Sequence, residues 1–186
     1  MKVQRCVQAT GVFAALMLGA CGSTPNPGDS ADRQELRDQV KAAIHDFKVT
    51  DPSIQRFFDT AYAYVVFPEV VTAAVGVGGA HGNGEVFEKG KFIGYADVSQ
   101  GSIGAQLGAQ KYAEILFFQN EGSFVDFKYS TMEFDARATA VAASAGAAAA
   151  ADYRRGVITF TLPESGLMAQ AAIGGQKFRY EAAPAR

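Results

Sequence analysis

The sequence predicts an α+β domain in which N-terminal helices pack on a strongly curled antiparallel β-sheet or barrel. Three observations carry that expectation. Helix-spaced apolar residues are confined to the stretch from Asp32 to Ala61, and strand-like alternation punctuated by turn residues fills the chain from Tyr62 onward. The third is the run Gly101–Phe118, which alternates for longer than a flat strand should. Its residues Ile103, Ala105, Leu107, Ala109, Ala113, Ile115 and Phe117 share one side. Gly104, Gln106, Gly108, Gln110, Tyr112 and Glu114 share the other, a small and polar side suited to water or to close backbone approach. Read as a helix, the run would carry two interior glycines at roughly 1 kcal/mol each. Fully extended it would reach roughly 50 Å at about 3.3 Å per residue, so it must bend, and the glycines are where bulges belong.

The helices come first. Leu36, Val40, Ile44 and Phe47 recur at four, four and three residues, which predicts a helix over Asp32–Lys48 with Asp32 and Glu35 at capping-box spacing. A second helix should begin at Asp51, an N-cap before Pro52, and bury Ile54, Phe57, Phe58 and Ala61. Their apolar stripes are narrow and their polar faces mix acids with bases, so they are expected on a sheet rather than on a membrane surface.

Strands follow. YAYVVF should be a short strand stopped by Pro68, and the glycine-rich segment up to Phe87 a second, turning through Glu88–Lys91 into a return strand that carries Phe92, Gly94 and Ala96. After the long run, Asn120–Gly122 is a break and Ser123–Met132 a short helix with Phe124, Phe127 and Tyr129 partly buried. Residues 136–151 are so rich in alanine that helix propensity and small-residue alternation compete, and neither wins locally. Val157–Leu162 and Leu167–Ile173 read as a terminal hairpin turning at Pro163–Gly166, with Phe178 and Tyr180 beyond it.

Composition narrows the function classes. The chain has 186 residues, 48% of them hydrophobic and 14 of them Phe, enough for the core of one domain. Formal net charge is −2, and once Lys2 and Arg5 are set aside with the leader, 15 basic residues face 19 acidic ones. A mildly acidic domain lacks the electrostatic footprint of a nucleic-acid binder.

That leader is read from Met1 to Ala20: a charged head at Lys2 and Arg5, then an apolar run from Ala9 that is too short to span a bilayer comfortably. It ends in Leu18, Gly19, Ala20, Cys21, and LGAC resembles the bacterial lipobox, in which the cysteine thiol receives a diacylglycerol. Gly22 in place of an Asp favours the outer membrane, on its periplasmic face. The expected organisation is therefore a lipoprotein signal over 1–20, a lipidated Cys21 and flexible tether over 21–30, and one domain over 31–186. Cys6 would leave with the signal and Cys21 would be acylated, so no disulfide is expected in the mature chain. Acyl chains contribute about 0.8 kcal/mol per buried methylene, so several of them anchor stably.

Catalytic and metal chemistry find little purchase. Gly76–Gly84, GVGGAHGNG, has the glycine content of a phosphate cradle, but strand rather than helix follows and no Lys precedes a Ser or Thr. His45 and His81 are isolated, and Ser99, Ser102 and Ser165 sit in no nucleophile elbow. No enzyme, cofactor or metal is expected. Lys89 and Lys91 at one hairpin tip and Arg154 and Arg155 at another turn are the candidate contacts for anionic lipid headgroups, each worth about 1 kcal/mol near such a surface.

The succession FPEVVTAAVGVGGAHGNGEVF, YADVSQGSIGAQLGAQKYAEILFFQN and SGLMAQAAIGG resembles the SYLF family of lipid-binding domains. The resemblance runs from about Ala61 to Ile173, and Phe67–Pro68, Gly101–Gln110 and Gly166–Gly174 are its most specific parts. It implies a non-catalytic domain that binds membrane phospholipid, anionic headgroups or phosphoinositides. The chain departs from the eukaryotic members at its start, a signal and tether instead of an amphipathic segment, and in its alanine-rich 138–150. An adaptor lipoprotein that grips a protein partner or an envelope polymer is the competing expectation.

Overall fold

The computed structural model describes residues 30–129, 133–134, 140–164 and 176–184, with side chains except at 73–78, 101–109, 133–134 and 140. Residues 21–29 and the expected return strand Leu167–Ile173 lie outside the described residues; Ser30, expected to end the tether, instead opens the first helix.

Helix α1 spans Ser30–Thr50 and buries Leu36, Val40, Ala43 and Phe47; Ala43 takes the place expected for Ile44, which is half-buried, and Asp32, expected as the cap, lies within the first turn. Asp51 then caps a 3-10 turn, Pro52–Ile54, that runs into helix α2, Gln55–Thr60. The second helix thus starts where Asp51 and Pro52 require. Its first turn is tightened because the Asp51 carboxylate accepts from both the backbone N–H and the hydroxyl of Ser53, at 3.0 and 2.6 Å.

A single long hairpin dominates the sheet. Strand β1, Ala63–Glu88, and strand β2, Lys91–Phe118, pair antiparallel along their length. Lys89 and Gly90 join them with φ of +50° and +74°, the two-residue turn whose twist matches that of the strands. Pro68 does not stop the first arm. The register steps from Phe67 opposite Glu114 to Val70 opposite Tyr112, so the proline sits in a bulge of an edge strand, where its missing N–H is owed to no partner.

Helix α3 occupies Glu121–Tyr129, followed by the short strands β3, Glu133–Phe134, and β4, Ala140–Ala142. The alanine-rich stretch is therefore neither one helix nor one strand: β4 gives way to a turn and a 3-10 segment, Ala148–Ala150. Two anchors explain why. Asp51 accepts from the N–H of Gly146 and of Ala148, at 3.2 and 2.6 Å, and Arg56 donates to the carbonyls of Ala148 and Ala151. A clamp built from residues more than 90 positions away outweighs alanine's helix propensity.

Strands β5, Val157–Pro163, and β6, Gln176–Ala182, complete the sheet. Both lie antiparallel to β2, on the edge away from β1: β5 opposite Tyr112–Phe118 and β6 opposite Gly94–Gln100. They run in the same sense, and the hairpin expected between Val157–Leu162 and Leu167–Ile173 falls partly outside the described residues. Beyond them β3 pairs β6, and β4 pairs β5 in parallel, which the 14-residue crossover from Ala143 to Gly156 permits. Among the described residues the sheet has six strands, and it is mixed rather than antiparallel throughout. Among the described residues no ladder closes it into a barrel.

Both faces of β2 are buried at its C-terminal end. One core joins Leu36, Phe47 and Phe57 of the helices to Ile115, Phe117, Ile158 and Phe160. The other gathers Val65, Phe67, Val70, Leu116, Phe118 and Phe124 on the opposite face. The side of β2 expected to meet water or backbone is thus, at Tyr112 and Glu114, interior. The reason lies within β1, whose later half lies against its earlier half. A Cβ on Gly84 would fall 2.4 Å from the Val66 carbonyl oxygen, and one on Gly82 would fall 2.6 Å from that of Glu69. These glycines are close-packing positions of the ribbon.

Candidate functional site

The two cationic turns named from sequence lie at one end of the sheet. At the hairpin tip the Lys89 N–H donates to the Tyr62 carbonyl, 2.8 Å away, and the Tyr62 N–H donates to that of Phe118, at 2.9 Å. The next residue, Gln119, donates to the Gly156 carbonyl at 2.8 Å. Three steps of about 4.8 Å thus separate the tips, on the order of 15 Å. Arg154 and Val157 form a bridge around Arg155 and Gly156, whose φ values are +52° and +80°. Both connections are two-residue turns with a left-handed first position. Asn, Asp or Gly suits that position, whereas here it holds Lys89 and Arg155, each at a cost of about 1 kcal/mol.

Helix α3 sits between the tips. Its Phe124 ring lies 6.1 Å from that of Tyr62, and a Cβ on Gly156 would meet Ser123 at 3.0 Å. Asn120 fixes the start of the helix by accepting from the Ser123 N–H at 3.0 Å. The outward face carries Val125 and Tyr129, 38% and 80% exposed, with the Lys128 ammonium 5.8 Å from the Tyr129 ring centre. Tyr129 was expected to be partly buried; instead it stands in solvent at the last residue of the helix. Lys89, Lys91, Arg154 and Arg155 are all exposed, and the Lys89 ammonium lies 5.0 Å above the Tyr62 ring. Tyr62 in turn donates to Glu88 at 2.7 Å, a bond that pushes its phenol up to about 12.

Five basic side chains, counting Lys128, stand here among four acidic ones, Glu88, Glu121, Asp126 and Asp152. Sequence reasoning found the four cations of the turns but not Val125 or Tyr129, because their outward position depends on which side of α3 meets Tyr62 and Phe118; Lys128 is half-buried, its ammonium 4.7 Å over the Phe124 ring.

A cleft of about 520 Å³ opens elsewhere, between the end of α1 and the sheet, lined among others by Asp46, Val49, Glu69, Lys111, Tyr112 and Glu164. It lies about 20 Å along β2 from Phe118, at six residues of strand rise. Three of its ionisable side chains are acidic, and its ammonium, Lys111, is paired with Glu69 at 2.7 Å. Such a lining suits no anion.

His45 and His81 are exposed on different elements, and among the described residues no group of three or more His, Cys, Asp or Glu is placed to hold a metal ion. No helix among the described residues is long and apolar enough to cross a membrane. Searches against family models and against curated proteins returned no match to this chain.

Proposed function

We propose that this chain is a SYLF-like, non-catalytic lipoprotein domain, tethered through an acylated Cys21 to the periplasmic face of an outer membrane. Its curled sheet turns the end that carries α3 and the two cationic tips toward phospholipid. One observation supports the reading most: both tips place a long cation where a turn former would be about 1 kcal/mol less strained, and a residue choice that costs stability points to use. Val125 and Tyr129 beside them offer the apolar and amphipathic contacts that suit a headgroup interface.

Every contact on which this reading rests lies within residues 30–186, and that fragment is used for the test. It should float with vesicles of phosphatidylcholine and phosphatidylglycerol at low salt, and less so when Lys89 and Arg155 are both Asn. Absence of flotation at low salt would remove headgroup recognition. The interleaved acids Glu88, Glu121, Asp126 and Asp152 favour a second reading, an adaptor whose protein partner meets mixed charge. That reading expects crosslinking to one partner and indifference to lipid composition.

A further inference from the structure

Glu114 takes no part in the proposed surface, yet it is one of the most enclosed groups in the protein. It is 0% exposed, and so is Gln176, the first residue of β6. The Gln176 side-chain amide donates to Glu114 Oε2 at 2.9 Å and, more weakly, to the Tyr112 hydroxyl at 3.4 Å. Glu114 Oε1 and Gln176 Oε1 have no hydrogen-bond partner. As an anion, Glu114 would therefore hold a full charge in the interior with one neutral donor. As an acid it has what the pair lacks, an O–H to give to the amide oxygen, and two bonds then close a ring between the two side chains.

Among the described residues, the surroundings supply no cation in compensation. Across the ladders Glu114 faces Phe67 of β1 and Thr161 of β5. On β2 its ionisable neighbour is the Tyr112 phenol, itself raised by burial and by the Glu114 charge. On β6, Lys177 and Arg179 are exposed on the far side of the strand from Gln176 and Phe178, and on β1 Glu69 is taken up by Lys111. α1 and α2 pack on the other face of β2.

We propose that Glu114 and Gln176 form a proton-dependent clasp between the hairpin and β6, closed as a carboxylic acid–amide pair and loosened when the carboxyl ionises. Burial raises the Glu114 carboxyl to about 7, opposed by the Gln176 bond, so the change falls near neutrality. β6 is the strand to respond. It meets Glu114 through Gln176 and otherwise holds to Gly94–Gln100, some way along β2, and to the short strand β3.

The test is hydrogen exchange on residues 30–186 at about pH 5.5 and about pH 8.5, corrected for intrinsic rates. Protection of the Lys177–Glu181 amides should fall roughly tenfold or more at the higher pH, while Ile158–Phe160 in β5 lose no more than the domain as a whole. Glu114→Gln, which is neutral at both pH values, should abolish the difference. A parallel NMR titration of the Glu114 carboxyl carbon keeps the proposal exposed even if that variant folds poorly. A midpoint near the ordinary carboxylate value, or β6 protection that is independent of pH in the parent, would overturn the clasp. So would a pH effect that persists in Glu114→Gln.

Discussion

Replacing Gly84 by alanine tests the feature on which the second core depends, the contact between the two halves of β1. The added methyl carbon would sit 2.4 Å from the Val66 carbonyl oxygen, 2.7 Å from Phe67 Cδ1 and 3.0 Å from the Val66 carbonyl carbon. Ordinary contacts begin near 3.4 Å, so backbone must retreat by about 1 Å in a region packed to crystal-like density. Overpacking of this kind costs about 1–3 kcal/mol, and the upper end applies because the obstacle is main chain on a paired strand. We therefore expect a loss of about 3 kcal/mol, or about 9 °C in melting temperature for a domain of this size. Urea denaturation of residues 30–186 followed by near-ultraviolet circular dichroism reads both stability and aromatic packing. Gly90→Ala is the control: its φ is +74° with nothing within 4 Å, so strain alone should cost about 1 kcal/mol. A Gly84→Ala protein within about 0.5 kcal/mol of the parent would refute the reasoning, since the two halves of the strand would then not be in contact.

Further outcomes follow from the same geometry. Asp51→Ala strands the N–H groups of Ser53, Gly146 and Ala148 and should cost about 2–4 kcal/mol in denaturant titration. Desolvation works against the Asp51 charge, but the bonds from Ala148, Ser53 and Gly146 outweigh it and hold its carboxyl low. Its stabilisation is thus present above the unfolded value of about 3.9 and is lost as pH falls through the lower folded value, so Asp51→Asn should flatten the acid limb of a melting-temperature profile. Glu114 acts with the opposite sign: its folded value of about 7 lies above the ordinary 4.5, so stability should decline by about 3 kcal/mol as pH rises between them, and Glu114→Gln should remove that slope. Lys89→Asn combined with Arg155→Asn should raise stability by about 1–2 kcal/mol while weakening vesicle flotation, and a stability gain with unchanged flotation would count against the surface. Cys21→Ser should release the protein from membranes, and unchanged sedimentation would contradict acylation.

Much of the local architecture was legible in the residues. The four-four-three stripe gave α1, Asp51–Pro52 fixed the start of the next helix, and Glu88–Lys91 marked the tip of the hairpin. What escaped were consequences of the chain returning on itself. Pro68 reads as a stop until β1 is known to be an edge strand that can bulge. Glu114 reads as solvent-facing because, in isolation, a carboxylate alternating with hydrophobic residues describes a one-sided strand. Its burial depends on Val66 and Glu69 meeting Gly84 and Gly82, some 13 to 18 positions away. The alanine-rich stretch had no local preference, and Asp51 and Arg56 decided it from a distance. The cationic turns were visible singly, but their arrival at one end required the Tyr62, Phe118 and Gln119 backbone bonds.

Burial on both sides makes the hairpin intolerant of changes in length. In a strand with one wet face, a single-residue insertion pushes some hydrocarbon into water and is often absorbed by slippage. Here an extra residue between Tyr112 and Phe118 would exchange the interiors, carrying Glu114 and Leu116 toward the helices and Ile115 and Phe117 to the other side. It would also shift the far arm out of step with Gly82 and Gly84, the positions bare enough to let it pass. Growth of this ribbon is therefore confined to its connections, and the count of residues along each arm is as firmly specified as their identity.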